Sequence, residues 1–252
     1  MQYAPIDPGA DSIIIAYILV SVVTGYFTVI MLKKWLKRKA KAPQLLFFTF
    51  LSYFICIVVT LVGFIELLIT REKREFYQFS LGFSFAGFMF ANIFLLLFAA
   101  EMFSIEHKNL RFFILVNLTI AISLILPWNY YGILKENYPM GFSIRPYTAT
   151  AMALFSVITY LRIFIWAYKV STRIENRLGR VGFQFIAISQ LCMIGFFVLM
   201  VADMVYFAIS EVLTGYTIFN HLAWVAAAGF FVFSYVGFVM PEWVKNIIKK
   251  VE

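Results

Sequence analysis

Four ionisable residues lie inside long apolar runs, where a charge is costly and therefore marks a candidate functional position. Glu66 and Asp203 lie toward one surface of the runs that contain them, and Glu101 and Arg162 lie toward the other. At about 1.5 Å of rise per helical residue, Asp203 and Arg162 are too far apart in depth to form a pair. The four residues therefore divide into two candidate sites at different depths.

The first candidate site surrounds Asp203, which has no Lys or Arg at its depth inside any run. The groups that could reach its carboxylate are Glu66, Tyr206, Asn220 and His221. Two carboxylates in a medium of low dielectric constant tend to keep a proton between them. We therefore expect a polar pocket for a ligand or an ion here. The alternative is a satisfied structural contact between three helices.

The second candidate site pairs Arg162 with Glu101. A guanidinium on a long side chain can extend toward the surface of the membrane, where the Glu101 carboxylate lies. Charges inside a membrane usually pair with one another. We therefore expect a structural ion pair that holds the third and fifth helices together.

The chain lacks the patterns that would indicate catalysis. It contains no phosphate-binding loop, no zinc-protease helix and no nucleophile elbow. Both cysteines, Cys56 and Cys192, lie in apolar runs, and the two histidines lie near opposite surfaces. These residues predict neither a metal site nor a pair of haem ligands. We expect no enzyme activity, no catalytic residue and no cofactor.

The elements that position these residues are long apolar runs in a chain of 252 residues that is 63% hydrophobic and 13% charged. A helix needs about 20 apolar residues to cross a bilayer, and open sheets leave unpaired backbone groups in lipid. The prediction is an all-α, polytopic membrane protein with a single seven-helix domain over residues 1–252. Its spans are approximately 12–32, 45–69, 79–103, 111–131, 148–168, 183–209 and 219–240.

Basic residues predict the orientation of these spans. Of the 21 Lys and Arg residues, 15 fall in one set of loops and 5 in the other. Cytoplasmic loops carry the excess, so we expect an outer N-terminus and a cytoplasmic C-terminus in the cell membrane. The net charge of +8 is explained by orientation and predicts no nucleic-acid partner. Residues 1–12 lack Lys and Arg, so the first run is predicted to be a retained helix rather than a signal peptide.

The longest outer connection covers residues 127–147 and is rich in Trp, Tyr and Pro. It is a candidate lid or partner contact. The alternative is a connecting loop whose aromatic rings lie at the headgroup level.

Seven helices with an outer N-terminus are also the topology of the microbial rhodopsins, which hold retinal on a lysine of the seventh span. Residues 221–241, HLAWVAAAGFFVFSYVGFVMP, contain no lysine. We therefore predict no covalently bound retinal.

Two stretches resemble the seven-transmembrane sensor modules of prokaryotic histidine kinases. One is LLLFAAEMFSIEHKN at 95–109, and the other is GFVMPEWVKNIIKK at 237–250. The resemblance implies a sensor or receptor-like protein that passes a change in helix packing to an output domain. Because the sequence stops at Glu252, we expect that output to belong to a separate cytoplasmic or membrane partner. The resemblance carries no catalytic residue to this chain.

Two other functions remain open at this point. The chain could be a non-catalytic subunit that packs against other membrane proteins or against its own copies. It could instead be a transporter coupled to protons or cations, although paired half-repeats and broken helices are not visible in the sequence.

The predicted orientation can be tested by labelling cysteine substitutions in intact cells with a membrane-impermeant maleimide. Lys39→Cys should stay unlabelled until the cells are permeabilised, because it lies in the basic cluster 33–41. Lys135→Cys, in the predicted outer loop, is the control that should be labelled in intact cells. Labelling of Lys39→Cys from outside would contradict the whole arrangement.

Overall fold

The computed structural model describes residues 3–7, 9–103, 108–126, 128–129, 144–210 and 217–250. Within these ranges the chain forms eight α-helices. They are α1 (Ala10–Arg38), α2 (Lys41–Thr70), α3 (Glu75–Phe103), α4 (Lys108–Ile125), α5 (Arg145–Arg173), α6 (Arg177–Ser210), α7 (Ile218–Val239) and α8 (Glu242–Lys250).

Six of the described helices are long and apolar enough to cross a membrane: α1, α2, α3, α5, α6 and α7. The helix faces that point away from the bundle carry large apolar side chains such as Ile15 and Ile69, which are 72% and 77% exposed. Apolar surface on this scale is unusual on a soluble monomer and is suited to lipid. These helices therefore indicate a multi-pass membrane protein.

Helix α4 is the shorter member of the bundle, with 18 residues. At 1.5 Å per residue it is about 27 Å long, slightly less than the hydrocarbon core of about 30 Å. The predicted span continues to residue 131, and residues 130–131 lie outside the described ranges. A seventh crossing therefore stays a prediction.

Short connections make successive helices antiparallel. Lys39 and Ala40 join α1 to α2, residues 71–74 join α2 to α3, and residues 174–176 join α5 to α6. We call the end that holds residues 33–41 the basic end, and the end that holds residues 3–7 the amino-terminal end. At the amino-terminal end, Pro5 forms an isolated antiparallel bridge with Glu72.

Three helices end on a residue in the left-handed conformation: Lys39, Arg71 and Met240, with φ of 50°, 58° and 48°. Each backbone N–H bonds to the carbonyl four residues earlier, which satisfies part of the helix terminus. Pro241 follows Met240 and cannot continue the ladder of α7. The chain therefore changes direction before α8 begins.

Close contact between α2 and α3 depends on two glycines. A Cβ at Gly63 would overlap the Ser80 side chain, and one at Gly87 would overlap Cys56 Sγ. Small residues let the backbones of membrane helices approach closely. The same close spacing of α2 and α3 allows the hydrogen bond between Thr60 and Ser84.

Five aromatic side chains fill the middle of the bundle, and each is at most 1% exposed: Phe50, Tyr53, Tyr160, Phe230 and Phe231. The Tyr53 ring centroid lies 5.8 Å from that of Phe230 and 5.6 Å from that of Phe231, both edge to face. This geometry is favourable between aromatic rings. The five residues, which we call the aromatic layer, join α2, α5 and α7.

Candidate functional site

Asp203 binds the start of α7. Its carboxylate accepts hydrogen bonds from the Thr217 hydroxyl, from the Thr217 backbone N–H at 3.3 Å and from Asn220 Nδ2 at 3.3 Å. Thr217 is the N-cap of α7 and accepts a bond from the Phe219 N–H. A negative charge at a helix N-terminus is favourable, because free N–H groups and the helix dipole point toward it. Asp203 therefore joins α6 to the first turn of α7.

Glu66 likewise binds the start of a helix, in this case α3. Its Oε2 accepts a hydrogen bond of 2.7 Å from the backbone N–H of Tyr77, in the first turn of α3. The first N–H groups of a helix have no partner within the helix, so a side-chain oxygen satisfies one of them. Glu66 therefore joins α2 to the start of α3.

His221 joins α7 to α1. Its Nδ1 lies 2.9 Å from the Thr217 carbonyl oxygen, and its Nε2 lies 2.8 Å from Ser12 Oγ.

Tyr206 packs its ring edge to face against Phe219, with centroids 6.0 Å apart.

The structure thus corrects the prediction of one pocket around Asp203. Of the four predicted partners, Asn220 bonds directly to Asp203. Glu66 and His221 are not among its hydrogen-bond partners in the described residues. Glu66 accepts from the Tyr77 N–H, and His221 contacts Ser12 and the Thr217 carbonyl oxygen. Within the described ranges, no hydrogen bond between Asp203 and Glu66 supports the predicted shared proton.

The predicted pair of Arg162 and Glu101 is also corrected. Glu101 lies 3.0 Å from Lys41 Nζ instead, and both side chains are substantially exposed. The Arg162 guanidinium lies over the rings of Phe113 and Trp166, 4.1 and 5.2 Å from their centroids. A planar, delocalised cation is favourable over an aromatic face, and α4 supplies that face beside α5. Depth alone does not specify which face of a helix a residue occupies.

An amino-terminal cavity of about 230 Å³ lies between α1, α2, α3, α5, α6 and α7. Charged residues from the amino-terminal end line its mouth: Asp7, Lys73 and Arg145. Lys73 Nζ is 2.7 Å from Asp7 Oδ2, so two of these charges form an ion pair. Most of the deeper lining is apolar or aromatic, including Ile57, Phe85, Phe88, Met152, Phe197 and Trp224.

Besides two tyrosines, three uncharged polar side chains line this cavity: Thr60, Ser84 and Asn220. Thr60 Oγ1 donates to Ser84 Oγ at 2.6 Å, and Ser84 Oγ donates to the Cys56 carbonyl oxygen at 2.8 Å. Asn220 is the third, and its Oδ1 is buried without a hydrogen-bond partner among the described residues. A buried acceptor without a partner is costly. It can therefore accept a hydrogen bond from a bound molecule.

A chain of hydrogen bonds crosses the bundle near the aromatic layer. The hydroxyl oxygens of Tyr53 and Tyr160 are 2.6 Å apart, and the Tyr160 hydroxyl donates to Asn92 Oδ1 at 2.7 Å. Asn92 Nδ2 then donates to Ser156 Oγ at 2.9 Å. This tyrosine–asparagine chain joins α2, α3 and α5. Neither tyrosine was among the residues predicted to form a site.

A second cavity, of about 350 Å³, lies at the basic end between α1, α2, α3, α6 and α7. It shares no lining residue with the amino-terminal cavity. Along α2, Tyr53 lies between Leu46 of the second cavity and Ile57 of the first. Along α7, Phe230 lies between Phe238 and Trp224 in the same way. The aromatic layer therefore separates the two cavities.

Within the ranges that the structure describes, no group of three or more His, Cys, Asp and Glu residues could hold a metal ion. Residues 127 and 130–143 of the proposed lid, and residues 104–107 of the stretch 95–109, lie outside those ranges.

Asp203→Asn should lower the stability of the protein by about 1–2 kcal/mol, since the charge that caps α7 is lost. Glu72→Gln is the matched control, because Glu72 lies between α2 and α3 and its side chain is 45% exposed in its ion pair with Arg74. An exposed pair of this kind contributes little, so its loss should cost less than about 0.5 kcal/mol. Unfolding of the purified variants in detergent measures both effects, and equal losses would contradict the assigned role of Asp203.

No protein-family model matches this sequence, and no curated protein or solved structure is similar enough to it to count as a match. The function proposed below rests on the geometry of this chain.

Proposed function

We propose that the chain is a seven-span sensor of the cell membrane that binds a small molecule in its amino-terminal cavity. In this proposal, that end faces outside and the basic end faces the cytoplasm. The observation that carries the proposal is the cavity itself, which lies between six helices and has charged residues at its mouth. Pockets of this type, mostly apolar with a few placed polar groups, are typical of small-molecule sites.

The lining restricts the kind of molecule that would fit. Aromatic and aliphatic walls favour a compact, largely apolar body. The free Oδ1 of Asn220 favours a hydrogen-bond donor on that body. Thr60 and Ser84 already use their hydroxyl hydrogens within the chain, so they offer acceptor lone pairs to the same molecule.

A route from the cavity to the basic end is present in α7. Asn220 and Trp224 contact the cavity at one end of this helix. At the other end, Met240 and Pro241 lead into α8, whose Val244 and Ile248 are buried in a cluster with Val236 of α7. A ligand that favours one packing of α7 would change the position of α8, provided that it binds that packing more tightly. A separate partner protein, or a second copy of the chain, would receive this change.

A carrier is the second candidate, because two cavities lie toward opposite ends of one bundle. A carrier would have to open the aromatic layer so that one binding site faces each side in turn. The sensor requires only that the amino-terminal cavity be open to the outside. The two functions therefore differ in the access of the cavity to the basic side.

Cysteine accessibility distinguishes them. In a chain with Cys56→Ser and Cys192→Ala, we introduce Ser84→Cys, which lines the amino-terminal cavity. Ala91→Cys on the same helix is the control, because Ala91 is fully buried and does not line that cavity. A membrane-impermeant methanethiosulfonate reagent is applied to right-side-out and to inside-out vesicles.

A sensor with an open outer cavity should react at Ser84→Cys from outside alone, while Ala91→Cys stays unreactive from both sides. Reaction of Ser84→Cys from both sides would contradict the sensor function and support the carrier function. Absence of reaction from outside, in a variant whose melting temperature shows that it is folded, would contradict both proposals.

A further inference from the structure

The cavity at the basic end combines an apolar lining with positive charge. Its apolar walls include Met31, Leu46, Phe98, Phe183, Ile186 and Phe238. Its two charged lining residues, Lys34 and Arg38, are both basic and lie one turn apart on α1. The cavity is thus apolar along most of its length and cationic at one edge.

Positive charge at this edge is not balanced within the described chain. Lys34 is half-buried, its Nζ donates to the Phe238 carbonyl oxygen at 3.3 Å, and the charges of Arg38 and Lys245 act on it. In the described residues, neither Lys34 nor Arg38 forms an ion pair with a carboxylate within 4.0 Å. Lys245 itself is paired with Glu242. An anion placed between Lys34 and Arg38 would lower the electrostatic cost of this arrangement.

The depth of these two residues matches that of lipid headgroups. The apolar run of α1 ends at Leu32, and Lys34 and Arg38 follow in the next turn and a half. Long basic side chains at such positions extend to the membrane surface, and basic pockets between membrane helices on the cytoplasmic side bind anionic headgroups. A free phosphate would use the two charges but would leave the apolar walls unoccupied.

We propose that this cavity is a binding site for an anionic phospholipid, with the phosphate between Lys34 and Arg38 and an acyl chain along the apolar walls. The site is independent of the proposed sensor function, since the two cavities share no lining residue. The lipid would contact α1, α2, α3, α6 and α7 at once, so its binding stabilises the packing of the basic end.

The test uses the full chain in nanodiscs of phosphatidylcholine, of phosphatidylcholine with phosphatidylglycerol, and of phosphatidylcholine with added inorganic phosphate. Native mass spectrometry counts bound phosphatidylglycerol, and the melting temperature reports stabilisation. Lys34→Gln with Arg38→Gln removes the two charges. Lys33→Gln with Lys37→Gln is the control of equal net charge, since both of these lysines are exposed and line no part of the cavity.

Phosphatidylglycerol should raise the melting temperature of the wild type and of the control pair. Loss of two headgroup contacts should weaken its binding to the Lys34 and Arg38 variant by about thirtyfold. Ala42→Phe, which fills the cavity without changing charge, should also reduce binding, and it keeps the test decisive if the charge variant does not fold.

Three outcomes would overturn the proposal. One is equal stabilisation by inorganic phosphate, which would indicate a site for a free anion. Another is an equal loss in the control pair, which would indicate attraction to the surface charge as a whole. The third is an unchanged melting temperature of the wild type in phosphatidylglycerol.

Discussion

Hydrocarbon offers no hydrogen-bond partners, so polar groups inside the bundle are strongly favoured to bond to one another. This constraint is most visible at the tyrosine–asparagine chain, where Tyr53, Tyr160, Asn92 and Ser156 satisfy one another across α2, α3 and α5. The two hydroxyls also belong to the aromatic layer, so the same contacts that join the helices close the middle of the bundle. The separation of the two cavities depends on this closure.

The same constraint explains the roles of the buried carboxylates. Asp203 and Glu66 do not meet each other, because each satisfies the free N–H groups at the start of a different helix. Their charges hold the helices that surround the amino-terminal cavity without occupying it. Besides its two tyrosines, the uncharged polar groups that line the cavity are Asn220, Thr60 and Ser84. A mostly apolar ligand is thus better matched to it than a metal ion or a proton held between carboxylates.

Much of the helical architecture could be predicted from the sequence, because long apolar runs have few alternatives in lipid. The predicted span 12–32 lies within α1 (Ala10–Arg38). The helix continues into the basic cluster, because its backbone hydrogen bonds can extend beyond the hydrocarbon core of the membrane. Asn220 was correctly placed beside Asp203. The partner of Arg162 was not predicted, because equal depth does not determine which helix faces meet. Tyr53 and Tyr160 were missed because tyrosine was used as a marker of the membrane surface.

The Tyr53 and Tyr160 hydroxyls act as one unit in the core, and a double-mutant cycle measures the coupling between them. Tyr53→Phe, Tyr160→Phe and the double variant are unfolded reversibly in lipid bicelles. Tyr160→Phe should cost more than Tyr53→Phe, because its hydroxyl also donates to Asn92. The double variant should be less destabilised than the sum of the single variants, with a coupling of about 1 kcal/mol. Effects that add to within about 0.3 kcal/mol would contradict this coupling.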